Sequence, residues 1–315
     1  MAEQELDLAA EQNSPQEVPE GWLPIREVAR QTGVNPVTLR AWERRYGLIV
    51  PQRTPKGHRL YSDEQVLKIQ AILAWLDRGV AVSQVGDLLK ACEPPAAKPG
   101  NQWLIERQRL AQAISLLNER QLDEAFNANL ALYPPRTLCE QLLLPLLAEL
   151  ALRWQGQFGS ELERVFFHSW LRSKLGARIY HNNRQQSGAP LLLINLSSLP
   201  LEPQMWLSAW LASSANCPVE VFDWPVPLNQ LSLALERLSP RALLFFSSQS
   251  LDSTVLRKHL PQLASTCQIP LLLAGAAASI HDAELSDIPG LSLATTPINA
   301  LQQLQFLHLL GDSLQ

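Results

Sequence analysis

Apolar positions along this chain follow three successive patterns. Between Trp22 and Lys90 they recur at short helical intervals. Ile25, Val28 and Ala29 share one face of a first helix. On a wheel of 100° per residue, Leu39, Trp42 and Tyr46 fall in one inward arc of a second. Gly33 supplies the positive φ of the turn between them. Asn35 is a good cap and Pro36 a good first residue for the second helix, which Gly47 ends. A hairpin is expected from Pro51 to Tyr61, around the turn signal Thr54-Pro55-Lys56-Gly57. Ser62 and Gln65 form a capping box ahead of Val66, Ile69, Ile72, Leu73 and Leu76, and Ser83 can cap a further short helix through Leu89.

A Pro-rich stretch, Glu93 to Gly100, interrupts the pattern. Helical spacing then resumes in four segments, Trp103–Leu117, Leu122–Leu132, Thr137–Phe158 and Glu161–Tyr180. Short connections between four helices suit an antiparallel bundle. Pro145 kinks or breaks the third helix unless it starts near there. After residue 189, short apolar runs alternate with amphipathic stretches. The runs Leu191–Ser197, Val219–Trp224, Ala242–Ser248, Pro270–Gly275 and Leu291–Thr295 read as five strands, and a last helix follows from Ile298 to Leu310. Strand–helix alternation predicts a doubly wound parallel sheet, with ligands at the carboxyl ends of its strands.

The expected fold class is thus multidomain α and α/β: an N-terminal winged helix-turn-helix (21–92), a linker (93–101), a central four-helix bundle (102–186) and a C-terminal flavodoxin-like doubly wound parallel sheet (189–315). The first twenty residues hold six acids and no base, and read as a disordered tail.

Charge sharpens this picture. The net charge is −4, yet residues 21–90 carry eleven Lys and Arg against six Asp and Glu. The cationic charge sits where the winged motif sits, so overall acidity does not argue against nucleic acid. Val37, Arg40 and Arg44 share an outward face of the second helix, with Thr38, Ala41 and Arg45 beside it. Such a face is what a recognition helix presents to the major groove. Arg53, Lys56, His58 and Arg59 surround the hairpin tip, where cations meet phosphates.

The run Thr38-Leu39-Arg40-Ala41-Trp42-Glu43-Arg44-Arg45-Tyr46-Gly47-Leu48, followed by Arg53 through Tyr61-Ser62, resembles the DNA-binding domain of the MerR family. The Trp-Glu-Arg-Arg-Tyr-Gly form is similar to its CarH/LitR-like and MlrA-like branch. The resemblance implies recognition-helix contacts at Thr38, Arg40, Trp42 and Arg44, and wing contacts at Arg53, Lys56, Arg59 and Tyr61. With the basic Arg45 and His58, these are the candidate DNA-binding residues. Trp42 stays open between core packing and phosphate contact, and Tyr61 between packing and contact. Many members dimerise through a long coiled coil placed after this domain, and no such heptad run is present here.

Bundle plus flavodoxin-like domain resembles cobalamin-binding regulators. Those domains carry Asp/Glu-x-His-x-x-Gly after the first strand. The corresponding window here is Leu199-Pro200-Leu201-Glu202-Pro203-Gln204, and no His occurs from 182 to 258. Light-sensing members also place a Trp and then a Glu-His pair above the corrin. Trp154 matches the Trp, but Arg164-Val165 stand where the pair would fall. Ala274-Gly275-Ala276 keeps one of the usual paired glycines. Trp206 and Trp210 either fill the space of a nucleotide tail or pack in the core.

Cys92, Cys139, Cys217 and Cys267 are too scattered for a zinc site. They suit a reduced chain, and neither a signal peptide nor an apolar run of membrane length is present. The expectation is a cytoplasmic, nucleoid-associated regulator that binds duplex promoter DNA sequence-specifically, as a repressor in preference to an activator. Its sensor-like domain has lost cobalamin ligation, and no cofactor and no metal are expected. Partners are another copy of the chain, at least on DNA, and a protein antirepressor or photoreceptor. The alternative is a cobalamin-dependent light or metabolite sensor with unusual ligation. An enzyme is third, because no Ser-His-Asp set, nucleotide loop or paired-carboxylate site stands out.

Overall fold

The computed structural model describes residues 21–77, 79–90, 101–156 and 158–310. The acidic tail and residues 93–100 of the expected linker lie outside the described residues. Helix α1 (Ile25–Thr32) ends at Gly33, whose φ of 69° is left-handed. Helix α2 (Pro36–Ala41) starts as its sequence requires: the Asn35 side chain accepts from the Val37 amide, and Pro36 follows it. It continues as a widened π turn (Trp42–Tyr46) that stops at Gly47, again left-handed at 58°. Strands β2 (Gln52–Arg53) and β3 (Arg59–Ser62) form the wing hairpin. An outer strand β1 (Trp22–Pro24) pairs antiparallel with β3 and completes a three-stranded sheet. The capping box forms in both directions, Gln65 N to Ser62 Oγ and Ser62 N to Gln65 Oε1, and opens α3 (Asp63–Asp77). Helix α4 (Val82–Lys90) begins one residue before Ser83, so that serine lies inside the first turn rather than capping it.

The four expected bundle segments are helical. They comprise α5 (Asn101–Ser115), α6 (Glu119–Leu130), a third rod made of α7 (Pro135–Leu138), a π turn (Cys139–Leu143) and α8 (Leu144–Arg153), and α9 (Ser160–Asn183). Pro145 explains the π turn. It has no N–H to give residue 141, and its ring crowds that carbonyl, so the turn before it widens instead of breaking.

The sheet strands are β4 (Leu191–Asn195), β5 (Val219–Phe222), β6 (Ala242–Phe246), β7 (Leu271–Ala274) and β8 (Leu291–Ala294). All pairs are parallel, in the order β5-β4-β6-β7-β8. That is the flavodoxin-like order, and the switch point lies between β4 and β6. Alternate residues serve two cores. Leu191, Leu193, Leu244, Phe246 and Leu272 share one continuous core with the bundle and the N-terminal module. Leu192, Ile194, Leu243, Phe245, Leu271 and Leu273 face the second core with Leu231, Leu260 and Leu285. Those last three belong to α11 (Leu231–Leu238), α12 (Leu260–Thr266) and α14 (Asp282–Ser286). The short α13 (Ala276–Ile280) precedes α14. The period of two along each strand sends successive side chains to opposite faces, and covering both faces is what a parallel sheet needs.

Helix α10 (Pro203–Ser214) is buried at every position from Met205 to Ser213. It lies between the sheet, α9 and α15 (Pro297–Phe306), which accounts for its having no polar face. Trp206 sits against Gly176 of α9 and beneath the Arg172 guanidinium, 5.6 Å from the ring. Trp210 meets Phe126 of α6 at 6.3 Å. Both tryptophans therefore pack where the bundle and the α/β domain join.

Candidate DNA-binding surface and the crevice of the α/β domain

The helix-turn-helix is fastened to the bundle by polar contacts as well as apolar ones. The indole N–H of Trp42 donates to the Leu132 carbonyl at 2.8 Å, and that of Trp103 to the Gly79 carbonyl at 3.0 Å. The Val82 amide donates to the Tyr133 hydroxyl at 3.4 Å, and Thr137 Oγ1 reaches Asp77 at 3.3 Å. Trp103 and Tyr133 stack obliquely at 4.5 Å. This docking leaves one side of α2 and the whole hairpin tip in solvent.

Arg40, Arg44 and Arg45 are exposed on that side, beside the exposed Val37. In the wing, Arg53, Lys56 and His58 are exposed. The tip is a tight turn. The Gly57 amide donates to the Thr54 carbonyl, and the His58 amide to Thr54 Oγ1. Gly57 has a φ of 82°, a left-handed value that an L side chain adopts only with strain.

Three of the candidate contacts lie elsewhere. Thr38, Trp42 and Tyr61 are 1%, 0% and 0% exposed. In this arrangement of domains all three pack rather than face solvent, which for Trp42 and Tyr61 is the packing side of the two readings the sequence left open. For Trp42 the reason is the inward arc of α2, which delivers its ring to the bundle. For Tyr61 it is its place on β3, the central strand of the three-stranded sheet, where both Leu60 and Tyr61 are buried. The Tyr61 hydroxyl is buried and has no hydrogen-bond partner among the described residues. Burial, and then the nearby Glu43 charge, push that phenol up to about 12.

One residue that sequence reasoning passed over joins helix to wing. Glu43 Oε1 accepts from Arg53 at 2.9 Å and its Oε2 from Arg59 at 2.5 Å. Burial works to raise the Glu43 carboxyl, but the hydrogen bonds from Arg59 and Arg53 hold it below the ordinary carboxylate range. Its only sequence signal was an acid within a basic helix.

The second site to test is the switch-point crevice between the carboxyl ends of β4 and β6, where doubly wound sheets take ligands. Hydrogen bonds lace it together. The Leu196 amide donates to the Phe246 carbonyl at 2.8 Å. Glu202, only 2% exposed, accepts from both the amide and the hydroxyl of Ser248, at 3.0 and 2.7 Å. Ser198 donates its amide and hydroxyl to Gln249 Oε1. At Gly275 a Cβ would lie 2.4 Å from the Ser247 carbonyl oxygen. The close approach of two backbones therefore accounts for this glycine without any ligand.

On the bundle, Trp154 donates its indole N–H to Glu163, which also pairs with Arg153. Arg164 turns to Glu161, and Val165 is exposed. His168, one turn further on, was not anticipated. It meets Trp154 edge-on at 5.6 Å, and burial, reinforced by Arg164, pushes its pKa down to about 4. Burial also raises the thiols of Cys139, Cys217 and Cys267, away from the reactive thiolate form. Among the described residues no cluster of three or more His, Cys, Asp or Glu could hold a metal ion, and no helix is long and apolar enough to cross a membrane.

Comparison with known proteins finds two matching regions. Residues 23–92 match the MerR HTH family regulatory protein model, and residues 106–179 match a B12 binding domain. The HTH-type transcriptional regulator MlrA of Salmonella typhimurium (strain LT2) is 32% identical over 62% of this chain and 78% of its own length. The MlrA of Escherichia coli (strain K12) is 31% identical over 66% and 81%. The HTH-type transcriptional repressor CarH of Myxococcus xanthus is 26% identical over 82% and 90%. With its helix-turn-helix, basic wing and B12-binding-type bundle, this chain belongs to the MerR family of DNA-binding transcriptional regulators.

Proposed function

We propose that this regulator is a sequence-specific repressor whose α/β domain has given up cobalamin and serves as a folded regulatory surface for a protein partner or another signal. The crevice carries this reading. Cobalamin held in the manner its domain type implies would need an imidazole in the loop after β4 and an open groove beside it. Leu201 stands at the ligand position and packs into the core, and a leucine has no donor atom for cobalt. The link from buried Glu202 to the exposed Ser248 crosses the mouth of the crevice, and α10 fills the space between sheet and α9 with side chains. The residues present do not fit the group.

DNA binding would use Arg40, Arg44 and Arg45 in the major groove and Arg53, Lys56 and His58 at phosphates, with two copies of the chain on a near-palindromic site. Repression is favoured over activation because the repressor CarH aligns with most of this chain, and because a helical bundle follows the DNA-binding module where other relatives place a coiled coil. The test pairs two measurements. Adenosylcobalamin should leave the melting temperature and absorbance spectrum of the protein unchanged, in the dark and after illumination. Saturable binding at micromolar concentration would return the chain to the cobalamin-dependent reading. A pull-down with the full chain should recover a specific protein, and repeated failure would point to a different signal.

A further inference from the structure

We propose that Glu43 is the positioning residue of the DNA-contacting surface: its carboxylate fixes the two opposed wing arginines to the recognition helix and so sets how strictly the protein discriminates between DNA sequences. The inference rests on the DNA-binding reading and adds to it a residue that touches no DNA.

Three observations carry it. First, Arg53 and Arg59 are direct cross-strand partners in the wing. Like charges placed opposite one another on an antiparallel pair repel, and a counter-charge offsets that repulsion. Glu43 supplies that charge, one oxygen to each guanidinium. Second, the Arg59 arm of the contact is not a loose surface pair, although the Arg53 side chain on the other arm is 50% exposed. The Glu43 and Arg59 side chains are 16% and 17% exposed, and the three residues come from separate elements. An exposed pair of this kind would contribute almost nothing, whereas a half-buried bridge between elements fixes an angle. Third, the bond from Arg53 uses Nη2 and that from Arg59 uses Nε. A guanidinium has five N–H donors, so both forks keep donors for phosphate oxygens.

A carboxylate on a DNA-facing surface has a cost, because it repels the phosphate backbone. Two arginines and one glutamate present a net charge of +1 in place of +2. That loss falls on every duplex alike. The fixed angle between wing and recognition helix favours only sequences on which both seat together. An interface of this kind gives up general affinity for discrimination, as repulsive elements do elsewhere.

The experiment measures binding of the full chain across a KCl series to two duplexes of equal length. One is enriched by the wild-type protein from a random library, and the other is its scrambled counterpart. Glu43→Gln keeps the shape and removes the charge. It should tighten binding to the scrambled duplex, steepen its salt dependence by about one phosphate, and cut the enriched-to-scrambled ratio roughly tenfold. In Glu43→Gln/Arg53→Gln the net charge returns to that of the wild type. Its salt slope should return as well, while the ratio stays low, which separates positioning from charge. Equal weakening on both duplexes would reduce Glu43 to a structural brace, and an unchanged ratio would likewise overturn the proposal. Absence of salt-dependent duplex binding by the wild type would instead sink the DNA-binding reading itself. Melting temperatures of the variants show that each is folded.

Discussion

Trp42 of the recognition helix donates its indole N–H to the carbonyl of Leu132, in the turn just past the second bundle helix, at 2.8 Å. The two residues are ninety positions apart. The tryptophan completes the core of the DNA-binding module and also fastens that module to the bundle. A change in the bundle would therefore reach the recognition helix through a residue on the helix itself.

Replacing Trp42 by Phe keeps a buried ring and removes the N–H donor. Stability should fall by about 1–2 kcal/mol, the range for losing a buried hydrogen bond. Trp42→Ala should cost about 3–5 kcal/mol through the cavity it leaves. Urea unfolding measures both. Equal stability of the wild type and the Phe variant would remove the Leu132 contact as a contributor.

Arg44→Ala should weaken binding to a selected operator by about 1–3 kcal/mol if the guanidinium reads a base edge. Thr38→Val, at a buried position of the same helix, should leave affinity unchanged. Fluorescence anisotropy with a labelled duplex separates the two. A large loss at Thr38 would mean that α2 turns a different face to DNA.

Gly275→Ala should destabilise the α/β domain by roughly 2–3 kcal/mol or more, since φ is +97° and the new Cβ would meet the Ser247 carbonyl. Thermal unfolding should show the loss with or without added cobalamin. A neutral substitution would show that this turn relaxes freely, contrary to the packing of the β6 and β7 ends.

His168 makes stability depend on pH. Its folded pKa, about 4, lies below the unfolded value near 6.5. Between those values the unfolded chain binds a proton that the folded chain does not, so stability is retained above pH 6.5 and lost as pH falls toward 4. The contribution should be roughly 2–3 kcal/mol over that window. His168→Leu should flatten the corresponding part of the pH–stability curve in urea melts. Identical curves for the two proteins would refute the assignment.

The order of elements was legible in the sequence because its signals are local. The Asn35-Pro36 start, the left-handed Gly33 and Gly47, and the Ser62–Gln65 box each depend on neighbours within four residues, and each forms as its residue types require. The five strand runs are short, apolar and spaced for a parallel sheet, whereas the division of each strand between two cores came from the fold. Strand β1 escaped notice because three residues carry no period, and its place depends on pairing with β3.

Only the tertiary structure decided which charges and rings meet. Sequence counted Arg53 and Arg59 as two free cations of the wing, yet Glu43 lies ten and sixteen residues away from them and engages both. Nothing in the sequence paired Glu202 with Ser248, forty-six residues on, which makes it the link across the crevice. Thr38 and Tyr61 carried polar groups suited to DNA, and packing took both inside. The physical reason is the same in each case. Backbone preferences are set by a residue and its immediate neighbours, whereas the field and the solvent around a side chain are set by whatever the fold brings against it.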